Sequence, residues 1–290
     1  MANLKEIRNR ISSVSSTMQI TSAMKMVSAA KLKRAQDAIT RLRPYASKLR
    51  YILENVSSSL DLSENSFAEQ RGDAKVLIVA ITSNRGLCGG FNSKIIKRVN
   101  TLAKEEFSAS QVSVLCLGKK IKDIIKKTDS YFVNETLAPL EDIMGNATFD
   151  RTSEIGEELM RLFKDKSFDK IVLVYNRFLN AANQSIEVEG FLPIAPVSAE
   201  DATPSDYIFE PSKEEIVSEL IPKSLKTQLF KAILDSTAAE HGARMTAMHK
   251  ATDNASDLKR TLTLSYNKAR QAAITNEILE IVGGAEALNA

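Results

Sequence analysis

Tryptophan is absent from the 290 residues and aromatic side chains supply only 6% of them, so any core is aliphatic. Cysteine is nearly absent too. Cys88 and Cys116 cannot build a disulfide framework, and a reducing compartment is expected. Neither charge sign dominates: 39 basic against 36 acidic residues leave +3, which argues against a dedicated nucleic-acid binder. No apolar run approaches the roughly 20 residues of a membrane span. Met1 to Arg10 is charged, which argues against a signal peptide. There is no internal repeat and no low-complexity segment.

Proline and glycine are missing from two long stretches. After Pro222 no proline recurs, and Gly242 is the only glycine before Gly283. Helix formers fill that interval, so one helix is expected from Ser212, which with Glu215 has capping-box spacing. Pro222 is placed at a first turn that restarts there. Lys223 to Val282 alone would measure roughly 90 Å, far longer than a globular helix needs. At the other end, Asn3 and Glu6 form a second capping box, with no glycine before Gly72. Leu4, Ile7, Ile11, Val14 and Met18, then Leu32, Ala35, Ile39, Leu42, Ala46, Leu49, Leu53, Val56 and Leu60, share one heptad frame. Thr21, Lys25 and Ser28 occupy the same frame and turn the seam polar, which suggests a contact beyond the helix pair. Pro44 lies outside the seam, where a bend is expected. A matching C-terminal frame holds Met248, Ala251, Ala255, Leu258, Leu262, Ser265, Ala269 and Ala272. The fold class expected is α/β: a long antiparallel coiled coil of the chain ends carrying an inserted, Rossmann-like open α/β domain. The boundaries are 1–60 for the first helix, 73–195 for the insertion and 212–290 for the last helix.

Inside the insertion the period changes. Val76–Ile81 and Lys170–Tyr175 read as buried strands, Val112–Leu117 as another, and Ser185–Leu192 as a last strand with period-two alternation. Helices are expected over Asn92–Phe107, Lys119–Lys127 and Glu141–Lys166, the last interrupted near Gly145. Strand alternating with helix implies a small open sheet. Leu60 to Asp73 and Ala195 to Asp206 read as linkers.

Candidate chemistry is sparse. Ser83 to Asn92 carries Gly86, Gly89 and Gly90 between a strand and a helix, the place where α/β proteins hold phosphates. It matches neither the dinucleotide fingerprint nor the GxxxxGK[ST] loop, and a tight turn with positive φ at its glycines is the favoured reading. His241 and His249 lie two turns apart, too far to share a metal, and Asp253 beside His249 does not complete a site. Cys88 has no histidine within the insertion to activate it. No catalytic, metal or nucleotide-binding residue and no cofactor is assigned. Gly118 to Lys127, with five lysines, reads as a solvated face or as a docking surface for an acidic partner. Near the C-terminus Lys268, Arg270 and Gln271 stand on an alanine-rich helix, and Arg suits a bidentate carboxylate contact on a partner. Ile278, Leu279, Ile281, Val282, Ala285, Ala287 and Leu288 form an apolar tip with no N-terminal segment to cover it, which implies a socket.

Five stretches resemble one family. Lys5 to Ile11, Ile20 to Val27, Ser83 to Asn92, Glu240 to Asn254 and Leu264 to Gly284 are similar to the γ subunits of F-type ATP synthases. The likeness covers both helices and the insertion. It implies a non-catalytic rotor shaft standing inside three α and three β subunits, with ε and the membrane c-ring as further partners. It implies that Lys25, Arg270 and Gln271 contact a β subunit, and that Ile278, Ile281, Val282 and Leu288 sit in an apolar bearing. Tyr207 and Glu210, within Asp206 to Pro211, would face the c-ring at the foot. A peripheral position on the cytoplasmic face of a bacterial plasma membrane follows from the same likeness. Two other readings stand beside it: a phosphate-binding enzyme with helical arms, and a static coiled-coil scaffold.

Overall fold

The computed structural model describes residues 4–57, 66–137, 140–194 and 213–289. Helix α1 (Leu4–Ser57) and helix α5 (Lys213–Asn289) enclose, in sequence, strand β1 (Lys75–Ile81), helix α2 (Phe91–Thr101), strand β2 (Gln111–Leu117) and helix α3 (Lys119–Ile125). Helix α4 (Phe149–Lys164), strand β3 (Lys170–Phe178) and strand β4 (Gln184–Leu192) complete the order. By its internal contacts the chain forms two compact units: residues up to Val27 together with those from Met245 onward, and Ser28–Arg244.

In the first unit α1 and α5 run antiparallel. Thr252 Oγ1 donates to Thr21 Oγ1 at 2.8 Å and Lys259 Nζ to Ser15 Oγ at 3.2 Å, so numbers fall on one helix as they rise on the other. The α1 seam follows the heptad frame, with Leu4, Ile7, Ile11, Val14, Met18, Thr21 and Lys25 all buried or half-buried. Thr21 is thus spent inside the pair rather than left free for a third partner. On α5 the frame is half right. Met248, Ala255, Leu262 and Ala269 turn inward, but Leu258 is 50% exposed and Ser265 is exposed. Thr252, Lys259 and Tyr266 take the intervening seam positions. The physical reason is amphipathicity: a lysine stem or a tyrosine ring covers apolar surface while its polar end reaches out, as Lys259 does to Ser15. Truncating Leu32, which is 6% exposed, to Ala should therefore cost about 2–3 kcal/mol, and Leu258→Ala only a few tenths. Urea unfolding followed by circular dichroism separates the two; equal losses would mean that Leu258 belongs to the seam.

The second unit contains a four-stranded sheet in the order β2-β1-β3-β4. Strand β1 pairs parallel with β2 and β3, and β4 returns antiparallel on β3. Strand β1 is continuously apolar because both faces are covered. Leu77, Val79 and Ile81 face a core shared with Leu159 and Phe163 of α4 and with Ile221, Leu225 and Leu229 of α5. Val76, Ile78 and Ala80 face the other core, shared with Ile95, Val99 and Ile121. The anchors on α5 also correct the reading of Pro222. The helix does not restart there; it runs from Lys213 unbroken across the proline. Burial of Ile221 and Leu225 on either side offsets the roughly 3 kcal/mol that an interior proline costs. Leu32, Ala35, Ile39 and Leu49 of α1 are buried in this unit, as is Ser28 at 3% exposure.

Local chemistry sets the remaining boundaries. Thr148 caps α4, its hydroxyl accepting from the Arg151 amide, and a 3₁₀ turn at Leu140–Met144 precedes it where the interruption near Gly145 was expected. Helix α2 passes into a π turn at Leu102–Glu106 instead of continuing as one α-helix to Phe107. Gly242 explains itself: a Cβ there would lie 3.2 Å from the Ala181 Cα and 3.3 Å from Phe178, because α5 presses on the β3–β4 hairpin. Ser212, Asn3, Leu60 and the linker Ala195 to Asp206 lie outside the described residues, as do the side chains of Leu53, Val56 and Glu215.

Candidate functional site

Strand β1 ends at the glycine-bearing turn, which Ser83 and Asn92 cross-link. The Ser83 amide donates to Asn92 Oδ1 at 3.0 Å, and Asn92 Nδ2 donates to Ser83 Oγ and Cys88 Sγ. Asn84 bridges to the Glu141 carbonyl at 2.7 Å and accepts from the Lys119 amide. Only one of the three glycines takes positive φ, Gly89 at 59°; Leu87 takes it as well, at 64°. Gly90 stands at φ −81°, so the expectation for all three fails. The indispensable glycine is one that the sequence did not flag. Gly118, at φ 112°, would place a Cβ 2.0 Å from the Thr82 carbonyl oxygen.

Helix α5 locks onto this turn. Arg244 pairs with Glu240 one helical turn away, both side chains 9% exposed, and donates through Nη2 to the carbonyls of Arg85 and Gly86 at 3.1 and 3.3 Å. Burial raises the Glu240 carboxyl above its ordinary range, and Arg244 opposes that rise. The i,i+4 Glu–Arg spacing was a readable signal. His241, half-buried, is held down to about 4, first by burial and then by the charges of Arg244 and Lys31. Its unfolded value is 6.5, so between there and about 4 the unfolded chain holds a proton that the folded chain refuses. Stability is lost as pH falls through that window. Glu240 and Asp235, both raised by burial, work in the opposite direction. Substitution isolates the histidine: His241→Gln should lose less melting temperature than the native chain on acidification across this window, and parallel losses would discount the ring.

Among the described residues no group of three His, Cys, Asp or Glu side chains is placed to hold a metal, and no helix is long and apolar enough to cross a membrane. His249 is exposed and pairs with Asp253 at 3.1 Å. Cys88 and Cys116 are both buried, and burial pushes the Cys116 thiol up to about 12.

Three sets of residues singled out in the sequence lie along the helix pair. Lys25 is half-buried on α1. The two bonded pairs set it level with the Met248 region of α5, so roughly 30 Å of helix separates it from Arg270. Lys25 therefore lies at a different level of the helix pair from Arg270 and Gln271. Those two are exposed, as is every side chain from Arg270 to Ala285. Ile278, Ile281 and Val282 are 54%, 67% and 51% exposed. The Leu288 side chain, and Tyr207 and Glu210, lie outside the described residues.

Known proteins match this arrangement over its whole length. The family model described as ATP synthase covers residues 3–288. An ATP synthase gamma chain of Christiangramia forsetii is 59% identical over 290 residues, covering all of both chains. One from Flavobacterium johnsoniae is 60% identical over 291 residues, again covering all of both chains. Among solved structures, a chain of the Tetrahymena thermophila mitochondrial ATP synthase central stalk and c-ring superposes with TM-score 0.59 at 27% identity, covering 80% of this chain and 99% of that one. A chain of the Euglena gracilis mitochondrial ATP synthase shares the fold at TM-score 0.68 and 22% identity, covering 98% of this chain and 94% of that one. Full-length identity near 60%, on two long helices flanking an α/β sheet, leaves one assignment: the chain belongs to the ATP synthase gamma-chain family.

Proposed function

We propose that this chain is the central rotor shaft of an ATP synthase, itself without bond chemistry, and that it couples rotation of a membrane c-ring to the conformations of three catalytic β subunits. The observation that carries this reading is the overrun of α5. Beyond Ala269 the helix has no α1 cover among the described residues, and it still presents Ile274, Ile278, Leu279, Ile281 and Val282 to solvent. Bare aliphatic side chains in such number imply a socket. A socket of α and β subunits, in which Ile278, Ile281, Val282 and Leu288 turn, supplies it. Above that bearing the shaft surface differs on every side, so each β subunit meets a different face, and its preferred state shifts by the difference in binding free energy. Lys25, Arg270 and Gln271 make the polar contacts to β at two levels, and Tyr207 and Glu210 face the c-ring at the foot. In this reading residues 1–60 and 212–290 are the shaft and 73–195 the inserted domain. The ε subunit is a further partner, and the site of work is the cytoplasmic face of a bacterial plasma membrane.

The test is native purification through an affinity tag on this chain, combined with a cysteine placed at position 207. Co-purification of α, β and ε, with crosslinking from position 207 to a c subunit, is the expected result. A chain that purifies alone would remove the shaft reading, and capture of α or β alone from position 207 would invert the shaft. The enzyme reading draws little from the glycine turn: its Ser83 amide donates to Asn92, its Asn84 side chain to the Glu141 carbonyl, and its Arg85 carbonyl accepts from Arg244.

A further inference from the structure

The outer face of the sheet carries a groove that the shaft reading leaves unused. It is an open depression of about 370 Å³ between α2 and α3, lined by Ser93, Ile96, Lys97, Asn100 and Lys104 on one side and Ile124 on the other. The α2 positions recur at helical spacing, so the groove follows that helix for roughly 15–20 Å, about three turns. Its floor is apolar: Ile96 is half-buried and Ile124 is 44% exposed. One rim is basic. Lys97 and Lys104 stand seven residues apart along the α2 wall. Neither lysine has a carboxylate within ion-pair distance among the described residues, whereas Lys122 and Lys126 of the neighbouring α3 segment are paired with Glu141 and Asp123. The π turn at Leu102–Glu106 widens the end of α2 and puts Glu105 into the groove beside Lys104.

We infer that this groove between α2 and α3 docks an amphipathic helix whose apolar stripe is flanked by acidic side chains. An apolar floor edged by two unneutralised lysines one heptad apart is the complement of such a helix. A flat anionic membrane fits less well, because the lining follows a single helix for about three turns, the footprint of a helix rather than of a plane. The inference goes beyond the shaft reading and does not rest on it.

Fluorescence anisotropy on the full chain tests it with three probes: a three-turn helical peptide with a leucine stripe flanked by Glu, its counterpart flanked by Lys, and phosphatidylglycerol vesicles. The acidic peptide should bind saturably and at least tenfold more tightly than the basic one. Binding should fall at least tenfold in the double variant Lys97→Glu/Lys104→Glu and in Ile124→Asp, and stay unchanged in Lys250→Glu. All the substituted side chains are exposed, so melting temperatures should hold. Equal binding of both peptides, or indifference to Lys97→Glu/Lys104→Glu, would overturn the proposal. Vesicle binding that is lost in that variant, with no binding of the acidic peptide, would make the face a membrane contact instead.

Discussion

Replacing Arg244 by Met should unfold the Ser28–Arg244 unit at a markedly lower urea concentration, with a loss of about 3–5 kcal/mol. The magnitude follows from what is left behind. Methionine fills much of the volume but supplies no donor, so the buried Glu240 carboxylate stays without the guanidinium it pairs with. The carbonyls of Arg85 and Gly86 lose their Nη2 partner at the same time. Breaking one half of a buried pair costs far more than the pair contributes, because the desolvated survivor has no compensation. Hence the double variant Glu240→Gln/Arg244→Met should recover part of the loss, since a neutral amide tolerates that site better than a carboxylate. Denaturant midpoints of the three proteins, read by circular dichroism, measure the coupling. A single variant with an unchanged midpoint would show that the turn and α5 are held by apolar packing alone. The packing in question is Cys88 and Phe91 against Ala239.

How much of this was legible in the sequence depends on how far each feature is set by one residue's own character. The α1 seam could be read because the seven-residue spacing persists through Thr21, Lys25 and Ser28 even where hydropathy does not. Strand β1 could be read because a strand covered on both faces must be apolar at every position. The α5 seam could not, since hydropathy ranks Leu258 above Lys259, while the helix pair buries the stem of the lysine and leaves the leucine out. Pro222 misled for a related reason. Propensity is local, and the anchoring of Ile221 and Leu225 in the sheet's core is not. Gly118 escaped notice because its constraint comes from Thr82, a residue on a different strand end. Of the candidate site, the exposure of Arg270, Gln271 and the apolar tip was legible from the mismatch in helix lengths. The separation of Lys25 from them required the register given by Thr21–Thr252 and Ser15–Lys259.

That separation sharpens the remaining prediction. Changing both Arg270 and Gln271 to Ala should lower coupled ATP synthesis and hydrolysis by about tenfold while leaving this chain's own melting temperature in place. Both side chains are exposed on a single helix that α1 no longer covers, and Arg270 has no ion-pair partner among the described residues, so the fold loses nothing with them. Alanine, if anything, favours the helix. In the rotor-shaft assembly proposed above, a guanidinium at position 270 would pair with a carboxylate of one β subunit at a time, and a charge-assisted contact of that kind is worth about 1.5–3 kcal/mol. A contact made in one rotary state only sets that state's free energy against the other two, and about 1.4 kcal/mol corresponds to a factor of ten in rate. Arg270→Lys should fall between, because it keeps the charge but loses the two-pronged geometry. Lys25→Ala, roughly 30 Å away along the helix, should act additively with the double variant. The measurement is paired: a thermal melt of the subunit alone, and turnover of the reconstituted complex. Undiminished turnover in the double variant would remove these two residues from the coupling surface. A depressed melt would show instead that they hold the helix pair together.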